Sequence, residues 1–286
     1  MAQARIDEAR RTLEAAGVGP ELLSKWDRLG SLLLECGSAV VAYSGGVDSS
    51  LLAYAAHLAL GERMLAVTIH SPLEPSDSAD QAAAFACQVG LPHEVISVPV
   101  LDQDNVRGNP PDRCYHCKKA ILGQLHSTAR ERGFSTVVEG QNVDDVGAYR
   151  PGRQAVTETA TLSPLLASGL TKSEIRLLAR TLGLTVWDRP SAPCLATRFP
   201  YGTELSQEAL QRVAAAESYL RSLGLATVRV RVDGETARIE APVDQLDRVL
   251  LHREDVAARL TELGYHYVTL DLRGYRSGSR DEGLVK

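Results

Sequence analysis

Residues 39–54, "AVVAYSGGVDSSLLAY", decide how the rest of the chain is interpreted. The apolar run that ends at Tyr43 is short and is followed by glycines, which predicts a buried strand. A helix is predicted to begin near Asp48 and Ser49. A helix that starts directly after such a loop points unpaired backbone N–H groups, and the positive end of its dipole, into the loop. The stretch therefore predicts a strand–loop–helix unit that binds a phosphate-like anion.

Strand and helix patterns alternate over the following residues. Strand-length apolar runs occur in "MLAVTIH" (64–70), "HEVISVPV" (93–100) and "STVVEG" (135–140), and helical segments separate them. Parallel strands require crossover helices of this kind, and these helices cover both faces of the sheet. The pattern predicts an α/β fold with a doubly wound parallel sheet.

The pattern changes after Pro200. A helix, a hairpin with Asp233 and Gly234 at its turn, a second helix and a final strand follow, which predicts a small α+β domain. We therefore expect an N-terminal extension over residues 1–20, a main domain over residues 21–200 and the α+β domain over residues 201–286.

The overall charge favours a small-molecule substrate. The chain has 286 residues and a net charge of -5, with a pI near 5.8. Proteins that hold nucleic acid through many phosphate contacts usually carry a basic surplus. The longest apolar runs are strand-sized, and the charged N-terminus lacks the apolar core of a signal peptide. We expect a cytoplasmic protein that binds neither a membrane nor nucleic acid.

The chain has five cysteines, which in a cytoplasmic protein point to thiols, metal or catalysis rather than disulfides. Cys36 and Cys87 lie in helical stretches rich in alanine and leucine, and we expect both to be small core residues. Cys114 and Cys117, in "PPDRCYHCKKAIL", and Cys194, in "RPSAPCLATRF", lie beside polar, loop-forming sequence.

Several sites remain open for these last three cysteines. Structural zinc needs four ligands, and although His116 is a possible fourth, it projects differently from Cys117 and no second Cys-x-x-Cys motif exists. Three thiolates fit an iron–sulfur cluster better, with the fourth iron left open. A nucleophile or sulfur donor at Cys194, with its thiolate stabilised by a nearby arginine, is the remaining alternative.

The loop S-G-G-x-D-S is neither a Walker A motif nor G-x-G-x-x-G. It resembles the PP-loop of ATP pyrophosphatases, which split ATP into AMP and pyrophosphate and adenylate an oxygen of the substrate. The resemblance implies that Ser44, Gly45, Gly46, Asp48 and Ser49 cradle the pyrophosphate end of ATP, with Asp48 near Mg²⁺. A tight turn that binds no ligand is the alternative.

The segment "EGQNVDDVGAYRPG" (139–152) follows a predicted strand, so it should lie at the carboxyl edge of the sheet, where ligands bind in open α/β folds. Alone, its N-x-D-D pattern would favour a simple turn. Behind a PP-loop, it resembles the E-G-x-N-x-D-D stretch of the same enzymes. That resemblance implies nucleotide and magnesium contacts for Asn142, Asp144 and Asp145.

Three further motifs make the resemblance more specific: "SAPCLATRFPYG" (191–202), "VRVRVDGETARIE" (228–240) and "VTLDLRGYRSGS" (268–279). With the PP-loop, they make nearly the whole chain similar to the LarE family, the ATP-dependent sulfur transferases that mature the nickel-pincer cofactor of lactate racemase. Such enzymes adenylate a carboxylate of pyridinium-3,5-biscarboxylic acid mononucleotide and replace it with a thiocarboxylate. The resemblance implies ATP, Mg²⁺, a small nucleotide substrate, a homo-oligomer and transient contacts with other maturation enzymes.

Two chemistries are found in that family. In one, a single cysteine gives up its own sulfur and becomes dehydroalanine. In the other, three cysteines hold a [4Fe-4S] cluster that carries the transferable sulfide. Cys194 matches the donor of the first, and the additional Cys114 and Cys117 match the second. We therefore expect the cluster, with all three cysteines as iron ligands and catalytic residues.

The C-terminal motifs imply a substrate site in the α+β domain, which the resemblance also assigns to oligomerisation. Arg229 and Arg231 alternate with valines and so point to one face of a strand. By resemblance they meet the substrate phosphate, which suits arginine geometry. Glu217 and Glu240 match acidic positions of the same site, and Arg198 matches a substrate-side arginine. Without the resemblance, the two strand arginines would be a solvated face.

Other functions stay open. A tRNA thiolase also combines a PP-loop with a Cys-x-x-Cys motif and a distant cysteine, but the acidic pI argues against RNA. An amide-forming PP-loop ligase needs no cysteines. A non-enzymatic ATP sensor would not release AMP and pyrophosphate.

Overall fold

The computed structural model of the chain describes residues 2–75, 77–146, 152–190 and 193–276. The described residues form two compact units. The first consists of residues 2–71, 77–100, 112–146 and 152–190. The second consists of residues 72–75, 101–111 and 193–276, so two short stretches from the N-terminal part of the chain belong to it. The predicted motifs at residues 139–152, 191–202 and 268–279 each lie partly outside the described residues.

The sheet of the first unit is entirely parallel, which confirms the predicted α/β fold. Its strands are β1 (Ala39–Ala42), β2 (Met64–His70), β3 (His93–Ser97) and β4 (Thr136–Val138). They lie in the order β3-β2-β1-β4. Val41 pairs with Ala66 on one side and with Val138 on the other, so the strand that leads into the PP-loop is central.

Twelve α-helices lie within the described residues. They are α1 (Ala2–Ala15), α2 (Pro20–Glu35), α3 (Val47–Leu60), α4 (Ser78–Gln88), α5 (Asp104–Arg107), α6 (Arg113–Arg132), α7 (Gly152–Glu158), α8 (Pro164–Ala167), α9 (Lys172–Thr181), α10 (Gln207–Ser222), α11 (Leu246–Leu251) and α12 (Arg253–Glu262). Helices α5 and α10 to α12 belong to the second unit. None of the described helices is long and apolar enough to cross a membrane.

Apolar side chains are buried on both faces of the first unit's sheet. Val41 packs into a large cluster that includes Trp26 and Leu51, whereas its neighbour Val40 packs into a second cluster with Leu122 of α6. Successive strand residues point to opposite faces, so a strand covered on both sides must be apolar throughout. Helix α1 buries Ile6 in the larger cluster, so residues 2–15 are part of this core.

The second unit contains a small mixed sheet of β5 (Arg229–Asp233), β6 (Thr236–Glu240) and β7 (Tyr267–Leu270), in that order. Strands β5 and β6 form the predicted antiparallel hairpin, and β7 is parallel to β6. The helix predicted between β6 and β7 is two helices, because the backbone at His252 leaves the helical conformation.

Candidate active site

The loop between β1 and α3 has the geometry of an anion site. Helix α3 begins at Val47, and its N-cap residue Gly46 makes no side-chain capping bond. The first-turn N–H groups are thus directed at the loop, where a phosphate would meet them. The Ser49 hydroxyl donates to the Gly46 carbonyl at 3.1 Å and accepts from the Ser44 N–H at 3.2 Å. These two hydrogen bonds connect the beginning of the loop to the first turn of α3.

Gly45 is required by the shape of this loop. Its φ of +74° lies in the left-handed region, which costs little only for glycine. A Cβ at this position would lie 3.1 Å from the Cβ of Ala82 and 3.2 Å from its Cα. Helix α4 therefore limits how far the loop could move to accommodate a side chain.

We expect Gly45→Ala to destabilise the protein by about 1–2 kcal/mol and to slow ATP-dependent pyrophosphate release, because the loop must shift away from Ala82. Gly123→Ala is the matched control. It lies inside α6, and an added Cβ there meets nothing within 4 Å. That change should stabilise the protein by about 0.5–1 kcal/mol. Calorimetric melting of both variants tests this, and shifts of the same sign would contradict it.

The loop that follows β4 brings Asn142 to the PP-loop. Its Nδ2 donates to Asp48 Oδ1 at 3.4 Å, and its own N–H donates to Asp145 Oδ2 at 3.1 Å. Gly140 packs so closely on α3 that a Cβ would lie 3.2 Å from the backbone nitrogen of Ser49. The predicted nucleotide and magnesium residues of the two loops are therefore neighbours.

Two cations outside the predicted set also contact the PP-loop. The Lys172 ammonium, at the start of α9, forms an ion pair with Asp48 Oδ2. Arg189 Nη1 donates to the Gly45 carbonyl oxygen at 2.8 Å. They lie 124 and 144 residues from their partners, so no local pattern connects them with the loop. Only the capping box formed by Thr171 and Glu174, which marks the start of α9, was available in the sequence to locate Lys172.

Cys114 and Cys117 lie near the start of α6, three positions apart, and side chains at that spacing share one face of a helix. Cys114 is exposed and Cys117 is half-buried. Arg113 Nη2 donates to the Cys114 sulfur at 3.4 Å. Lys118, which follows Cys117, forms an ion pair with the buried Glu139 at 2.8 Å. This pair connects α6 to the loop that carries Asn142.

Cys194 belongs to the second unit and is half-buried at the start of a short 3₁₀ turn, Leu195–Arg198. Its carbonyl oxygen accepts from the Thr197 hydroxyl at 2.8 Å and from Arg198 Nη1 at 3.1 Å. The Leu195 N–H donates to the Leu73 carbonyl at 2.8 Å. These contacts shape the backbone that carries the Cys194 thiol.

None of the five cysteines, all of which lie within the described residues, forms a disulfide. Within the residues that the structure describes, no three His, Cys, Asp or Glu side chains form a group that could hold a metal ion. The donor chemistry of Cys114 and Cys117 is that of iron–sulfur ligands, because both thiols are accessible at least in part and lie three positions apart on one helix.

The prediction that Cys87 is a core residue is wrong, because its side chain is exposed. On α4 the core-facing positions are Ala82, Phe85 and Ala86, and Cys87 follows them off that face. Cys36 is half-buried against the larger cluster, and its thiol donates to the Leu32 carbonyl at 3.3 Å.

The second unit contains a buried cluster of opposite charges, and each of its members is no more than 8% exposed: Arg198, Glu217, Arg229, Arg231 and Glu240. Arg198 donates from Nε and Nη2 to the two carboxylate oxygens of Glu217 at 2.7 and 2.8 Å, a bidentate pair. Arg231 Nε donates to Glu240 at 3.0 Å. The hairpin register sets Arg229 opposite Glu240. The predicted substrate residues are thus together, and the alternative of a solvated strand face is wrong.

This cluster carries an excess of positive charge, since three arginines stand against two glutamates. The pKa of Arg229 is lowered, first because burial removes water from the guanidinium and next because the charge of Arg198 is close. Glu217 acts in the opposite direction. A buried positive excess of this kind favours binding of an anion such as a phosphate or carboxylate.

Several known proteins are similar in sequence to this chain over most of its length. Residues 29–133 match the family described as NAD synthase. An uncharacterized protein of Synechocystis is 40% identical over 267 residues, 93% of this chain and 100% of that protein. The pyridinium-3,5-bisthiocarboxylic acid mononucleotide synthase of Lactiplantibacillus plantarum is 37% identical over 266 residues, 93% of this chain and 96% of the synthase. An uncharacterized protein of Methanocaldococcus jannaschii is 31% identical over 240 residues, 83% and 90% of the two chains.

A parallel α/β sheet whose central strand runs into an S-G-G-x-D-S loop is the structure of an ATP-using PP-loop enzyme. With the likeness to the L. plantarum synthase over nearly its whole length, the chain belongs to the LarE family. It is an ATP-dependent enzyme that transfers sulfur.

Proposed function

We propose that this enzyme adenylates a carboxylate of pyridinium-3,5-biscarboxylic acid mononucleotide and converts it to a thiocarboxylate for the nickel-pincer cofactor of lactate racemase. The observation that carries the proposal is the buried cluster of three arginines and two glutamates in the second unit. Its positive excess suits a substrate with one phosphate and two carboxylates. The similar L. plantarum protein is named for the corresponding bisthiocarboxylic product.

In this proposal the first unit performs the adenylation. Ser44, Gly45, Gly46 and Ser49 hold the phosphates of ATP, and Asp48 is the magnesium ligand, with Asn142, Asp144 and Asp145 beside it. Mg²⁺ supplies charge neutralisation for the departing pyrophosphate. The substrate carboxylate attacks the α-phosphorus, and the bond to pyrophosphate breaks as the new O–P bond forms. The N–H groups at the start of α3 and the Lys172 ammonium stabilise the negative charge that develops.

Cys114, Cys117 and Cys194 deliver the sulfur. Thiolates are the donor type of an iron–sulfur cluster, so these three residues would hold a [4Fe-4S] cluster, which would supply a transferable sulfide. Lys118 and Glu139 keep α6 and the nucleotide loop in a constant arrangement. AMP leaves when a C–S bond replaces the acyl C–O bond, and the substrate phosphate stays on Arg229 and Arg231.

The composition of the purified protein tests the cluster. Protein prepared without oxygen is expected to contain about four irons and matching acid-labile sulfide per chain. Cys114→Ala should lose them, whereas Cys87→Ala, which removes an exposed thiol of the same unit, should keep them. Wild-type protein with neither iron nor zinc would contradict the cluster. It would assign the sulfur to Cys194 alone, in a protein that is spent after one transfer.

The reaction itself is tested with ATP, Mg²⁺, a sulfide source and the mononucleotide. Mass spectrometry should detect the thiocarboxylate, together with AMP and pyrophosphate. If the cysteine variants retain full activity with ammonia, the enzyme is an amide-forming ligase. Retention of bulk tRNA in a gel at moderate salt, with no turnover of the mononucleotide, identifies a tRNA thiolase instead.

A further inference from the structure

Residues 271–276, which we term the C-terminal strap, follow β7 and continue along the end of β6. The N–H of Asp271 donates to the Ile239 carbonyl at 2.9 Å, and the N–H of Tyr275 donates to the Ala241 carbonyl at 2.8 Å. Between them, the Gly274 N–H closes a turn on the Asp271 carbonyl at 3.0 Å. The strap is therefore fastened to the end of β6, next to the pair of strands that carries Arg229 and Glu240.

Gly274 allows the strap to lie this close. Its φ is +69°, and an added Cβ would lie 2.9 Å from the Ala241 carbonyl oxygen and 2.8 Å from Val243 Cγ2. Contacts under 3 Å are repulsive, so any other residue would push the strap away from the sheet. Asp271 adds an ion pair with Arg238, at 3.6 Å, and accepts from the Arg273 N–H at 2.9 Å. The strap is therefore held on the sheet by specific contacts.

The docked strap brings the ring of Tyr275 to Arg229. The guanidinium carbon lies 5.3 Å from the ring centroid, within the range of a cation–π contact. The N–H donors of a guanidinium lie in its plane, so a ring over the group does not compete with hydrogen bonds made in that plane. One of those donors, on Nη1, is used by the Val228 carbonyl at 2.7 Å.

We propose that Tyr275 is a positioning residue, which holds the Arg229 guanidinium in place to bind the substrate phosphate. The attraction of the ring offsets part of the repulsion from Arg198, which otherwise drives the two buried guanidinium groups apart. Only the identity of the substrate in this proposal rests on the proposed function. The anion site itself follows from the buried arginines.

Binding measurements test this role with two probes, nicotinate mononucleotide and inorganic phosphate. Calorimetric titration should show about five- to tenfold weaker binding of nicotinate mononucleotide to Tyr275→Leu, because this change removes one cation–π contact. Tyr275→Phe keeps the ring and should bind within about twofold of wild type. Tyr267→Leu, an exposed tyrosine of the same sheet, should bind like wild type. Gly274→Ala, which displaces the strap, should resemble Tyr275→Leu, and the KM for ATP should be unchanged in all four.

The outcomes distinguish failure of the positioning role from failure of the proposed function. If Tyr275→Leu and Gly274→Ala bind both probes as wild type does, the positioning role is wrong, and continued thiocarboxylate formation leaves the proposed function intact. If wild type is stabilised by phosphate but neither binds nicotinate mononucleotide nor thiolates pyridinium-3,5-biscarboxylic acid mononucleotide, the proposed substrate is wrong. If phosphate then stabilises Tyr275→Leu less than it stabilises wild type, the positioning role of Tyr275 is still supported. Wild-type protein that binds neither probe overturns both.

Discussion

Cys194→Ala is expected to release pyrophosphate from ATP at the wild-type rate and to transfer no sulfur. The change removes only the thiol, because the backbone at this position is held through the Cys194 carbonyl by Thr197 and Arg198. The PP-loop, which performs the adenylation, belongs to the other unit. Loss of a group that takes part in bond formation reduces turnover by about 10³-fold or more. Separate assays of pyrophosphate and thiocarboxylate measure the two half-reactions.

The matched control is Cys87→Ala, since this thiol is exposed on α4 and has no role in the proposal. It should retain both half-reactions. Normal thiocarboxylate formation by Cys194→Ala would show that the sulfur does not pass through this residue. Loss of pyrophosphate release with an unchanged melting temperature would instead give Cys194 a role in adenylation, which the proposal excludes.

Glu217→Gln is expected to lower the free energy of unfolding by about 3–5 kcal/mol, the typical cost of removing one partner from a buried ion pair. The Glu217 carboxylate accepts both bonds of Arg198 and also the Val230 N–H at 3.0 Å. A glutamine amide keeps the size but turns an N–H₂ group toward the guanidinium. The change therefore leaves Arg198 and Arg229 buried with less negative charge between them.

Glu208→Gln on the same helix is the control. Its side chain is 84% exposed and pairs with Arg212 at the surface, so its loss should change stability by less than about 0.5 kcal/mol. Urea denaturation of both variants gives the comparison. A double variant, Arg198→Met with Glu217→Gln, should recover part of the loss, because it no longer contains the unpaired charge of Arg198. Equal, small effects of the two glutamate changes would mean that the cluster is not effectively desolvated.

Local sequence patterns were sufficient for much of the fold. The apolar run at residues 39–43 and the two glycines after it specify a buried strand and a tight loop, whatever the rest of the chain does. Helix α6 runs from Arg113 to Arg132, and the hairpin turn lies at Gly234 and Glu235, one residue beyond the predicted pair of Asp233 and Gly234. These features depend on residues a few positions apart, which is the range over which propensity and periodicity act.

The sequence by itself thus determined the class of fold, the phosphate-binding loop and the residue types that carry the chemistry. The tertiary structure alone decided which charges meet. Lys172 reaches Asp48 across 124 residues, and Arg198 finds Glu217 from a different element. Tertiary packing also decided which side chains are buried. By sequence pattern alone, Arg229 and Arg231 would form a solvated strand face and Cys87 would be a core residue. In the structure the two arginines are buried and Cys87 is exposed. Burial and long-range pairing are properties of the whole packed chain, because each depends on surfaces contributed by residues far apart in sequence.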